Sequence, residues 1–142
     1  MVLNVYKFLQ NLTEDKLFQL LKKRYPDLIN LNEEEEFSPI DWYIPSTNTY
    51  IEGKCRKEDY PTLFVEKHKW NVMKNVENCW YINSTPRGIY VYIINEIEEP
   101  LFRNRIMEKS QLYKGKGQYV HKEVGELLLN ECSFQLDHLL LQ

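Results

Sequence analysis

No run in this sequence approaches the ~18–20 consecutive apolar residues of a membrane-spanning helix, so no helical span is expected. The first residues, Met1 to Lys7, lack a basic start, an extended apolar stretch and a small-residue cleavage site. The expectation is therefore an unsecreted, cytoplasmic protein. Cysteine is scarce and odd in number. Cys55, Cys79 and Cys132 lie 24 and 53 residues apart with no CxxC pair. That spacing suits neither a disulfide framework nor a zinc site, and it fits a reducing interior. No charge sign dominates either: 18 Lys and Arg stand against 21 Asp and Glu, a net charge of -3, which argues against polyanion binding by the whole surface. Internal repeats and low-complexity linkers are absent from the 142 residues, so one domain spanning 1–142 is expected. Several chemical signatures are missing as well. His68, His121 and His138 have no HExxH spacing, and Gly115-Lys116-Gly117 is not the GxxxxGK[ST] of a phosphate-cradling loop.

Aromatic material is abundant: 10 Tyr, 6 Phe and 3 Trp in a chain that is 43% hydrophobic can fill one core, which excludes wholesale disorder. Trp42, Trp70 and Trp80 are expected in that core or at an interface. Thr13-Glu14-Asp15 reads as a capped helix start, Leu17, Phe18, Leu21 and Tyr25 recur at helical spacing, and Pro26 stops the run. Two short segments rich in aromatic and β-branched residues, 40–44 and 49–52, flank the turn-forming Pro45-Ser46-Thr47-Asn48 and predict a hairpin. A second helix is expected over much of 65–76, and a second hairpin over 79–82 and 89–94 through Thr85-Pro86-Arg87-Gly88. Further on, 122–130 reads as a helix, and 132–141 as either strand or helix. Helix, hairpin, helix, hairpin indicates an α+β (mixed α/β) domain.

Charge is unevenly spread. Between Leu101 and Lys122 six basic residues, among them Lys109, Lys114 and Lys116, face only Glu108, so this stretch carries +5 and the rest of the chain -8. Such a segment marks either a nucleic-acid contact zone or a solvated loop rich in lysine.

The first hairpin has a chemical consequence. With its turn centred between Ser46 and Thr47, Tyr43 lies opposite Tyr50 and Asp41 opposite Glu52, while Glu52 and Lys54 share a face. Opposed carboxylates repel at ~4.5–5.5 Å between Cβ atoms, so they need a cation between them or one must hold a proton. An oxygen-seeking divalent ion such as Mg²⁺ would satisfy the pair, with Lys54 beside it, and the chemistry this suggests is phosphodiester hydrolysis. The alternative is that both acids are ordinary solvent-facing residues of an exposed sheet. On the expected second helix Val65, Val72 and Val76 form a stripe with Lys69 in its midst. A lysine there either snorkels out of the core or reaches a site shared with the sheet.

Pro39-Ile40-Asp41, followed by Glu52-Gly53-Lys54 within Tyr50-Ile51-Glu52-Gly53-Lys54-Cys55-Arg56, resembles the PD-(D/E)XK nuclease superfamily. Tyr60-Pro61-Thr62-Leu63 and Lys67-His68-Lys69-Trp70 are similar to the continuation in small phage-type members. The resemblance implies a restriction-endonuclease-like core over about 13–95, helix–three-strand–helix–strand around a central mixed sheet, with 101–142 as a basic C-terminal extension. It implies catalytic roles for Asp41, Glu52, Lys54 and Lys69, and Mg²⁺ (Mn²⁺ as substitute) held by Asp41, Glu52 and the Gly53 carbonyl. The expected partner is nucleic acid, DNA rather than RNA, contacted through Arg56, Lys114 and Lys116, and a homodimer would cut both strands. A binding module without catalysis, or an RNase, is the alternative on the same fold. Some members carry a metal-linked glutamate where this chain has Glu14, a position that reads better as a first-turn acid favoured by the helix dipole. Gly53 departs from the bulky apolar residue usual inside the ExK triplet, which would weaken packing beneath the strand.

Overall fold

The computed structural model describes residues 4–34, 38–108 and 119–136. Two helices open it. Asn4 caps α1 (Val5–Gln10) by accepting the Lys7 N–H at 3.1 Å, a short helix that the sequence pattern had not indicated. Thr13 caps α2 (Glu14–Arg24) as expected, its hydroxyl accepting the Lys16 N–H at 3.2 Å. Glu14 and Asp15 stand in the first turn and Lys22, Lys23 and Arg24 in the last, matching the helix dipole at both ends.

The main sheet is mixed and six-stranded. It contains β1 (Ile29–Asn30), β2 (Trp42–Ile44), β3 (Thr49–Cys55), β5 (Cys79–Thr85), β6 (Gly88–Ile93) and β9 (Phe134–Gln135), adjacent in that order. A short helix α3 (Leu31–Glu34) joins β1 towards β2. Within the main sheet only β3 and β5 run parallel, linked by a crossover through β4 (Thr62–Glu66) and α4 (Lys67–Lys74). A second, antiparallel sheet has β8 (Tyr119–Leu128) between β4 and β7 (Arg103–Glu108). The α+β class with a mixed sheet is therefore present. Between residues 13 and 95 the elements follow as α2, β1, α3, β2, β3, β4, α4, β5 and β6, with β4 in the second sheet.

Each face of the main sheet buries its own core. Leu9, Leu12, Leu17, Leu21 and Leu28 cover Trp42, Ile44, Ile51, Ile82, Ile89 and Val91 on one side. On the other, Trp70 and Met73 of α4 join Leu63, Val65 and Leu127 of the second sheet over Tyr81, Tyr90 and Tyr92. Trp42 and Trp70 are buried, and the half-buried Trp80 packs edge-on against Tyr25 and Phe134. No helix among the described residues is long and apolar enough to cross a membrane.

Two expectations need correction. The helix expected over 65–76 is strand β4 followed by α4. Leu63 and Val65 are buried and Thr62, Phe64 and Glu66 less so, the period-two pattern of a strand, and the helix begins only after Glu66. Val65 therefore shares no helical stripe with Val72 and Val76. The helix expected at 122–130 is β8, paired on both sides. A Cβ on its Gly125 would lie 2.8 Å from the Pro100 ring, so this glycine marks where the segment before β7 packs closely on the strand. The described part of 101–142, expected as an extension, supplies β7 and β8 to the second sheet and β9 to the main one. Val124 and Leu127 are buried, and β9 pairs with β6. Lys109, Lys114, Lys116 and His138 lie outside the described residues.

Candidate active site

The β2–β3 hairpin sets the site. A 3-10 turn over Pro45–Thr47 hands the chain to Asn48 in the left-handed conformation at φ 50°, a conformation asparagine tolerates better than most residues. The resulting register places Tyr43 opposite Tyr50, as the turn arithmetic requires, and their ring centroids lie 4.5 Å apart. Asp41 and Glu52 follow one step beyond the last ladder pair, Trp42 with Ile51. Here the backbones part. Asp41 reaches across so that its Oδ2 accepts the Gly53 N–H at 3.0 Å, while Asn32 Nδ2 donates to Oδ1 at 3.3 Å. The Asp41 carbonyl accepts the Leu31 N–H at 2.9 Å, which fixes its backbone. A strand residue directs its N–H and C=O to the same edge, so the Gly53 carbonyl faces the Asp41 side.

Glu52 is no solvent-facing residue: it is only 4% exposed. Its Oε2 lies 3.2 Å from the Lys69 ammonium, and among the described residues its buried Oε1 has no hydrogen-bond partner. Burial first, and then the Asp41 charge, push its pKa up to about 7, against the opposing pull of Lys69 and Lys54. Lys69 comes from α4 and also donates to the Pro39 carbonyl at 2.8 Å. It thus reaches the shared site although the helix that carries it is shorter than expected. Lys54 projects from the same face of β3 as Glu52. Among the described residues it has no hydrogen-bond or ion-pair partner, though its charge acts on both Glu52 and Glu14. The Glu14 carboxyl is raised by partial loss of water and next by the charge of Asp41. The first-turn acid of α2 therefore belongs to the same electrostatic neighbourhood.

Gly53 is explained by its neighbour. A Cβ there would stand 2.5 Å from the Trp42 ring, so the indole already occupies the space that a bulky residue would fill. The expected packing weakness beneath the strand is absent, because Trp42 is itself part of the buried core.

Arg56 lies further along the same strand direction, tied into the protein. Its Nε donates to Asn83 Oδ1 at 3.1 Å, and its Nη2 to the Phe64 carbonyl at 2.7 Å and to the Tyr81 hydroxyl at 3.2 Å. This joins the two sheets, and burial pushes the Tyr81 phenol up to about 12. The described part of the basic stretch is also largely matched by acids of its own sheet. Arg105 pairs with Glu126 at 2.7 Å and stacks over Phe64, and Lys122 pairs with Glu66 at 2.6 Å. Lys114 and Lys116 cannot be compared, being outside the described residues. The sequence reading missed Asn32, the Trp42–Gly53 contact and the Arg56–Tyr81–Asn83 network. Only an asparagine two residues after Asn30, in a segment rich in capping residues, hinted at the first.

Oxygen donors, a buried carboxylate with an orphaned oxygen, and a second carboxylate adjacent to it suit a hard divalent ion such as Mg²⁺. Among the described residues no three His, Cys, Asp or Glu side chains converge on one point, so Asp41 and Glu52 would share the ion with backbone and water oxygens. Protein-family models, curated proteins and solved structures yield no match to this chain.

Proposed function

We propose that this chain is a Mg²⁺-dependent nuclease of the PD-(D/E)XK kind, hydrolysing phosphodiester bonds of DNA, with Mn²⁺ as a substitute ion. The observation that carries this reading is the buried Glu52 carboxylate beside an oriented Asp41, with one Glu52 oxygen and the Lys54 amine unpartnered among the described residues. A surface pair would explain none of the burial, and desolvating a carboxylate beside another without a function is costly. A mixed sheet with α2 before the β2–β3 hairpin and α4 before β5, and with Asp41 and Glu52 one step beyond the last pair of that hairpin, is compatible with the same family.

The division of labour follows from the contacts. Mg²⁺ bound between the carboxylates would supply the charge that polarises a phosphate and acidifies a water. Asp41 is held by Asn32 and the Gly53 N–H, so one orientation is set before substrate arrives. Glu52 contributes its orphaned Oε1 from a nearly dry position, where its charge acts more strongly than at the surface. Lys54 has a primary amine without a partner among the described residues, able to orient a water and to offset charge developing on the phosphate. Cleavage of both strands needs two such sites, hence a homodimer.

Incubation with plasmid, single-stranded and branched DNA and with RNA, each with Mg²⁺, Mn²⁺ or EDTA, tests the proposal. Metal-dependent cleavage of DNA is expected. No cleavage of any substrate, together with thermal stability indifferent to both ions, would leave a binding module in its place.

A further inference from the structure

We infer that Lys69 is a resident counter-ion that competes with the divalent cation for Glu52, and not a second catalytic amine. The inference rests on the cation site proposed above. The two lysines at the site are differently engaged. Lys54 has no partner among the described residues, whereas the Lys69 ammonium lies 3.2 Å from Glu52 Oε2 and donates to the Pro39 carbonyl at 2.8 Å. Glu52 therefore already has one positive charge before any ion binds, on the oxygen next to its orphaned Oε1.

An incoming dication and an ammonium at one carboxylate repel each other, strongly so where water is scarce. Lys69 can withdraw without being stranded. Its side chain is 24% exposed, against 5% for Glu52, and the Pro39 carbonyl lies off the carboxylate and can keep one of its three protons. Lys69 thus stabilises the metal-free protein and weakens the metal-bound one. It is a positioning residue acting through Glu52.

The test uses Mn²⁺ or Mg²⁺ alone, without nucleic acid, at about pH 8.5 where carboxylates are ionised. Calorimetric titration and the metal-induced rise in Tm are measured for wild type, Lys69→Gln and Lys69→Arg. Lys69→Gln should bind Mn²⁺ about tenfold or more tightly, since no charge-assisted hydrogen bond has to be broken. It should have a lower metal-free Tm and a larger rise on adding metal, and Lys69→Arg should resemble wild type. Wild type that binds metal alongside a Lys69→Gln protein with equal or weaker affinity overturns this inference and leaves the nuclease reading intact. No binding by any of them overturns both. Should Lys69→Gln fold poorly without metal, the substitution is made in a Glu52→Gln background. There it should cost little stability, and an undiminished loss would show that the ammonium does not act on Glu52.

Discussion

Replacing Glu52 with glutamine should change how the metal-free protein responds to pH. A glutamate ordinarily titrates near 4.5, and Glu52 does so at about 7, chiefly because it is buried and secondly because Asp41 is charged nearby. Between those two values the folded chain holds a proton that the unfolded chain has released, so stability falls as pH rises through this window. Above it the loss is complete, about 3 kcal/mol in all. A Glu52→Gln protein is neutral at that position throughout and lacks the decline. Glu14, raised in the same direction, is common to both proteins, so its contribution cancels in the difference between them. Urea unfolding in EDTA from about pH 4 to about pH 8.5 measures that difference directly. Wild type should lose stability relative to Glu52→Gln between about pH 4.5 and about pH 7, and not elsewhere. Parallel curves would refute the reasoning, because they would mean that folding imposes no penalty on the ionised carboxylate.

Other consequences are equally concrete. Lys54→Ala should keep metal binding, measured by calorimetry, while cleavage falls and phosphate affinity weakens modestly. Gly53→Ala should destabilise by about 1–3 kcal/mol in urea unfolding, since its Cβ would meet the Trp42 ring at 2.5 Å, and Trp42→Phe in that background should recover part of the loss. Arg105→Ala and Lys122→Ala should leave the salt dependence of DNA binding unchanged, because Glu126 and Glu66 already engage those cations. Lys114→Ala and Lys116→Ala should each lower the slope by about one if their charges meet phosphates.

Local signals in the sequence reached far along the first half of the chain. The Thr13 cap and the basic last turn identified α2, and Pro45 to Asn48 set the hairpin register to the residue, which leaves Asp41 and Glu52 one step beyond its last pair. Long-range pairing was not legible. Thr62 to Glu66 alternates like a strand, but the following lysines and tryptophan carry helical spacing, and the two patterns merge without a break. Val124 to Leu128 reads as helical from its leucines, and only partners on both sides reveal a strand there. The site shows the same limit. Residue types named the carboxylates and lysines, but which lysine pairs with Glu52 depends on where α4 lies against the sheet. The position of the Trp42 ring, which makes Gly53 necessary, likewise follows from tertiary packing.

The central claim is that Asp41 and Glu52 hold a divalent ion that serves phosphodiester hydrolysis. Cleavage of supercoiled plasmid by wild type and by Asp41→Ala, side by side with Mg²⁺ and with EDTA, tests it most directly. Wild type should cut only with Mg²⁺, and Asp41→Ala should lose orders of magnitude in rate while binding DNA without metal as well as wild type or better. Equal cleavage by the two proteins, or cleavage by wild type that persists in EDTA, would contradict the account.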